Sequence, residues 1–156
     1  MIIRQAAPAD AGQMTAILNE IIALGGTTAH QVPKEVSEVL SDYVDGPDVI
    51  SSVVVEQEDR IIGWQSVGWW QGEAHIGTFV QPGVQAKGAG AAMFGLTSDL
   101  VAKAGVLAIA ATIRADNVPG LAYYARLGFV DVGADPGFAL QDGRVVGRVH
   151  RRFDLV

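Results

Sequence analysis

Two hydrophobic rhythms divide the chain. Met14, Ile17, Leu18, Ile21 and Ile22 recur at the spacing of one helical face. A polar start precedes them, in which Asp10 and Gln13 have capping-box spacing, and Gly25-Gly26 ends the helix. Pro33 is suited to a first helical turn, and Val36, Val39, Leu40, Tyr43 and Val44 give a second helix that stops at residues 45–48. The rhythm then changes. Residues 49–56 are rich in β-branched side chains, and residues 61–70 and 74–80 follow across short polar turns, which predicts an antiparallel meander. Ala91, Ala92, Met93, Phe94, Leu96, Leu100 and Val101 restore a helical face, closed by Gly105. Residues 106–113 are almost wholly apolar, as in a strand buried at a sheet centre. A shorter helix runs from Asn117 to Leu127, and strands are expected at 129–132 and 144–155 around an Asp142-Gly143 turn. The order is βααβββαβαββ. It predicts one α/β (α+β) domain over residues 1–156, with a mixed, mostly antiparallel sheet flanked by helices on both faces.

Composition narrows what such a domain can do. Hydrophobic residues are 49% of the 156 and mean hydropathy is +0.27, so the chain can bury a core. There is no cysteine, which removes disulfides and thiolate chemistry. The net charge of −6 argues against nucleic acid as the main partner. The N-terminus lacks a signal-peptide pattern, and the apolar run 104–113 is too short to span a bilayer, so a cytoplasmic protein without membrane association is expected. His30, His75 and His150 are far apart with no i, i+4 pair, so no metal site is expected. Ser66 misses the G-x-S-x-G spacing by one position, which argues against a serine hydrolase.

Glycine is in excess, at 19 residues, and three sit between a strand and a helix in the segment 80–92, which includes Gly83, Gly88 and Gly90. Backbone N–H groups there, with the positive end of the following helix, suit a phosphate or pyrophosphate. A Walker loop is excluded because no Gly-Lys-Ser/Thr occurs, and Met93 stands where a dinucleotide fingerprint needs its third glycine. The pattern [QR]-x-x-G-x-[GA] is matched by Gln85-Ala86-Lys87-Gly88-Ala89-Gly90. Its approach, Thr78-Phe79-Val80-Gln81-Pro82, and the later run from Asn117 through Tyr124 to Gly128-Phe129 are also present. On these residues the chain resembles the GCN5-related N-acetyltransferases, the GNAT superfamily. Gly120 replaces the small Ala or Ser of that family's second motif.

The resemblance implies acetyl-CoA as co-substrate, no metal, and acetyl transfer to the primary amine of a small molecule by direct attack. It places the pantetheine along the backbone of Phe79 and Val80 and the pyrophosphate on the N–H groups of Gln85, Ala86, Lys87, Gly88, Ala89, Gly90 and Ala91. Asn117 would reach the pantetheine arm, cap its helix, or do both. Tyr124 is the expected acid for the leaving thiolate, a phenol being able to protonate sulfur. Tyr123, one position off the motif, is expected to point elsewhere. His75 stands where the family often has a carboxylate base, with Glu73 or water as alternatives. A backbone N–H near Val80 would meet the oxyanion. The acceptor pocket would draw on Thr28, His30 and Trp69, with Thr27, Trp64 and Trp70 nearby. Within the superfamily the first helix and loop, Leu18-Asn19-Glu20 to Gly26-Thr27-Thr28-Ala29, are similar to the phosphinothricin and amino-acid-sulfoximine acetyltransferases. Those enzymes grip an anionic amino acid with basic residues, whereas Lys34 is the one formal cation between Gln5 and Asp59. A neutral or cationic amine is therefore the alternative acceptor. A non-catalytic acyl-CoA-binding module is the alternative function, and the strands within 138–155 are candidates for homodimer pairing. Gly63, Gly68 and Gly77, inside strands, call for a bulge or a close approach.

Overall fold

Strands rich in β-branched residues and two tight turns build the front of the sheet. Strand β2 (Val49–Gln57) reverses into β3 (Arg60–Trp70) at Glu58 and Asp59, whose φ angles are 53° and 59°. Strand β3 reverses into β4 (Glu73–Val80) at Gln71 and Gly72, also left-handed. Two-residue turns of this hand match the natural twist of paired strands, so they fix the register. Strand β1 (Ile2–Gln5) lies antiparallel along the outer edge of β2. The computed structural model describes residues 1–84 and 87–156.

Helix α1 (Ala11–Leu24) and the single turn α2 (Val36–Val39), which widens into a looser helical turn at Leu40–Asp45, separate β1 from β2. The rear of the sheet comes from α3 (Ala89–Lys103), β5 (Ala108–Arg114), α4 (Val118–Leu127), β6 (Val130–Ala139) and β7 (Val145–Asp154). The seven strands form one sheet in the order β1-β2-β3-β4-β5-β7-β6, with β4 and β5 parallel and the other neighbours antiparallel. This is the predicted mixed, mostly antiparallel architecture and the predicted element order.

Three local expectations need correction. The second helix starts at Val36 and not at Pro33, because the Asn19 side chain binds both the N–H and the C=O of Lys34 (2.8 and 3.0 Å) and holds that segment out of a helix. Asp10 lies in a 3-10 turn, where its carboxylate takes the N–H of Ala7 (2.7 Å) and two N–H groups of Arg4. Gln13 instead accepts from the N–H of Ile61. Strand β6 continues to Ala139, well beyond residue 132, because β7 supplies a partner through two register shifts.

Each sheet face carries its own core. On one, Met14, Ile17 and Leu18 of α1 meet Val54, Trp64 and Phe79, and the Trp64 indole donates to the Met14 carbonyl (3.0 Å). On the other, Ala89 and Met93 of α3 cover Val53, Val55 and Ile62. Farther along that face, Phe94, Tyr124 and Phe129 cover Ile109, Ala111 and Ile113. Of the strand glycines, Gly68 sits at the irregular register between Val49 and Ser51, where a Cβ would lie 3.1 Å from the Asp48 carbonyl. No helix among the described residues is long and apolar enough to cross a membrane.

One feature of the sheet creates the site. Strands β4 and β5 share a single paired position, His75 with Ala110, and part beyond it. The cleft that opens runs between the C-terminal half of β4 and the α4 side of β5, next to the start of α3.

Candidate active site

A cavity of about 1430 Å³ occupies this cleft and extends over the sheet face carrying α1 and α2. At one end lies the first turn of α3. Its N-cap, Gly88, has φ 81°, and the N–H groups of Ala89, Gly90 and Ala91 precede the first intrahelical bond, from Ala92 to Gly88 (3.0 Å). Gly88, Gly90 and Ala91 line the cavity, while the Ala89 methyl is fully buried in the core. Lys87 is exposed. Gln85 and Ala86 lie outside the described residues.

Gly90 has a second task. A Cβ at this position would stand 2.5 Å from Cε1 of Tyr123. The Tyr123 ring therefore rests on the helix backbone, and its hydroxyl donates to the Gly90 carbonyl (2.8 Å). Tyr123 thus does not point elsewhere. It lines the same cavity as Tyr124. Phe79 and Val80 line the wall formed by β4, and the Phe79 ring also joins the core packed under α1. Gly77 admits that ring, since a Cβ there would be 3.0 Å from Cε2 of Phe79.

Tyr124 is buried, and its hydroxyl shares a 2.9 Å hydrogen bond with Thr78 Oγ1. Burial pushes its phenol, and that of Tyr123, above the usual tyrosine range, so both are protonated near neutral pH. His75 is half-buried on β4, with the Trp70 ring edge-on at 5.1 Å and Glu73 Oε1 at 4.0 Å from Nε2. Burial lowers its pKa, opposed by Glu73, so the imidazole is neutral and basic at pH 7.

Asn117 caps α4 by accepting from the N–H of Gly120 (3.0 Å), and its amide donates to the Thr27 carbonyl (3.2 Å). Both ends of this side chain are engaged within the protein. Arg114, at the end of β5, fastens the same loop. Its Nη1 donates to the Thr28 carbonyl (3.0 Å), while Nε and Nη2 hold Asp116 at 2.9 and 2.8 Å. Thr28 is buried and its hydroxyl accepts from the N–H of His30. The His30 ring meets the Tyr43 hydroxyl at 3.1 Å, and burial lowers its pKa. Trp69 and Trp70 are about half exposed at the mouth, while Trp64 is wholly buried in the core.

Arginines from outside residues 5–59 also line the cavity. Arg114, Arg126 and Arg148 come to the lining from β5, α4 and β7, against Asp42 and Asp48. Arg114 is paired to Asp116 and Arg148 to Asp135, and Arg126 has no ion pair among the described residues. Counting charges along one stretch missed groups that the sheet collects from elsewhere. Gln65 and Thr78 were also missed. A glutamine inside the apolar run of β3 was the available signal, because an uncharged polar group at a core position needs partners. No group of three or more His, Asp or Glu residues that could hold a metal is present among the described residues.

Residues 18–129 match the family model described as Acetyltransferase (GNAT) family. No curated protein matches the chain. Among solved structures, the chain is similar to yncA from Salmonella typhimurium, which holds its cofactor acetyl-CoA (TM-score 0.84, 20% identity, 100% of this chain and 94% of that one). It is similar to a GNAT superfamily phosphinothricin acetyltransferase from Sinorhizobium meliloti in complex with acetyl-CoA (TM-score 0.83, 18% identity, 98% and 87%). The ribosomal-protein-alanine N-acetyltransferase of Brucella melitensis shares the fold to the same degree (TM-score 0.83, 17% identity, 99% of each chain).

Proposed function

The chain belongs to the GNAT family of acetyltransferases and is an acetyl-CoA-dependent N-acetyltransferase; from that premise we propose that its acceptor is the primary amine of a small molecule, an amino acid or a related amine. The observation that carries this reading is the wall of the acceptor end. The loop at residues 25–30 is tied down at two carbonyls, Thr27 to Asn117 and Thr28 to Arg114, and lines the same cavity as His75. A fixed, partly enclosed pocket suits a compact ligand. The phosphinothricin acetyltransferase relative supports the same class.

Acetyl-CoA supplies an activated acyl group on a thiol that leaves as sulfur takes up a proton. The residues then have distinct tasks. The N–H groups at the start of α3 and the β4 wall hold and orient the donor. His75, neutral at pH 7, removes a proton from the incoming amine. Tyr124, protonated and facing the cavity, gives its proton to the departing sulfur. Homodimer formation along β6 belongs to the same proposal, since this outer strand exposes Val130 and Val132.

The test is thiol release from acetyl-CoA across amino acids, amino-acid analogues, polyamines and peptides. Turnover with a small amine, and little with peptides, is expected. Turnover with peptides alone would overturn the small-molecule reading.

A further inference from the structure

A short polar chain stands behind Tyr124, and one atom orients its far end. The Gly90 carbonyl is an acceptor only. It lies 2.8 Å from the Tyr123 hydroxyl, so the single Tyr123 proton is committed to it. The Tyr123 oxygen then accepts from Gln65 Nε2 at 3.0 Å. The second hydrogen of that amide goes to Thr78 Oγ1 at 2.9 Å. Thr78 Oγ1 accepts there and keeps its own proton, which can go to Tyr124, 2.9 Å away, in a bond where either hydroxyl can donate. With Thr78 as donor, the Tyr124 proton is left for the cavity that Tyr124 lines.

The opposite orientation of the Gln65 amide is worse on each count. Turning the Gln65 amide over would leave two N–H groups buried without partners in a fully buried residue. If Tyr123 then donated to Gln65, its oxygen and that of Gly90 would face each other at 2.8 Å with no proton between them. The observed orientation has one cost, the Gln65 Oε1 carbonyl, which is buried without a partner among the described residues.

We propose that Gln65 and Thr78 are positioning residues that hold the Tyr124 hydroxyl as a donor toward the cavity, with Tyr123 and Gly90 setting the polarity of the chain. The proposal deepens the proposed function and rests on its assignment of Tyr124 as acid. When the carbon–sulfur bond breaks, its electron pair stays on sulfur and the Tyr124 proton moves to it. The phenolate left behind receives the Thr78 hydrogen bond and regains a proton from water after the products leave. The proton that His75 took from the amine passes to water, so the charges balance.

The direction can be read without any acceptor amine. Trifluorotyrosine placed at position 124 has a phenol acidic enough to titrate by absorbance in the folded protein. A donating Thr78 stabilises the phenolate, so Thr78→Val is expected to raise that titration by about half a pH unit to one unit. Thr78→Ser is expected to restore it, and Gln65→Leu to move it upward, because Thr78 is then free to turn. Should Gln65→Leu fail to fold, Tyr123→Phe releases the same constraint from the other end and carries the same sign. A downward shift in Thr78→Val, or no shift in the Gln65 or Tyr123 variant, would overturn the proposal. Turnover of Tyr124→Phe with acetyl-CoA separates the two claims. Unchanged turnover removes the acid role whichever way the hydrogen bonds run, and with it the catalytic part of this proposal. A wrong titration sign removes the polarity even where Tyr124→Phe is inactive.

Discussion

Replacing Arg114 by Met tests whether the acceptor loop is held from the sheet. The side chain is 5% exposed, and Met keeps much of its length and its apolar stem. Two interactions disappear. The hydrogen bond from a charged donor to the buried Thr28 carbonyl contributes about 1.5–3 kcal/mol, and its loss leaves that oxygen unpaired. The ion pair with Asp116 contributes less, about 0–1 kcal/mol, because Asp116 is 41% exposed and rehydrates when released. The expected cost of Arg114→Met is therefore about 2–4 kcal/mol. In a domain of this size that corresponds to a Tm lower by roughly 4–16 °C. Urea unfolding and calorimetry measure it, with Asp116→Asn as the comparison, expected to cost under about 1 kcal/mol. In the enzyme, the KM for the amine should rise while the KM for acetyl-CoA holds, since the loosened loop bounds the acceptor end. A loss below about 1 kcal/mol, or an equal loss in Asp116→Asn, would refute the reasoning, because the buried carbonyl would then not be the important partner.

Three further outcomes are expected. His75 must be neutral to accept a proton, and burial depresses its pKa, so kcat/KM should rise with pH along an acidic limb whose midpoint lies below the ordinary histidine value of about 6.5; Glu73→Gln, which removes the opposing charge, should move that acidic limb lower still, and His75→Ala should abolish it. Gly90→Ala places a methyl against a ring anchored by two hydrogen bonds, so a net destabilisation of about 1–2 kcal/mol should survive the gain in helix propensity, read by chemical denaturation, together with weaker protection by CoA. Asp10 is held below the usual carboxylate range by the Arg4 hydrogen bonds, so its stabilisation is fully present above the unfolded pKa of about 3.9 and is lost as pH falls through the lower folded value; Asp10→Asn should lower Tm at pH 6 and flatten its fall between pH 4 and 2.

What the sequence determined by itself was local. The i, i+3, i+4 spacing of Met14 to Ile22 produced α1, because a helix brings those positions to one face whatever surrounds it. The Asn117 cap and Gly128 marked the ends of α4 for the same reason, since both act within one turn. The order of elements and the glycine loop were enough to resemble the GNAT family. The tertiary structure decided what depends on distant segments. Asn19 keeps Lys34 out of a helix from 15 residues away. Arg114, Arg126 and Arg148 line the cavity from elements that no charge count over residues 5–59 includes. Gln65, Thr78, Tyr123 and Gly90 come from β3, β4, α4 and α3, and their hydrogen bonds exist only once all four are packed. Periodicity reports which side of an element is buried. Which groups meet across that buried side, and which of them donates, is set by the register of the strands and the seating of helices on the sheet.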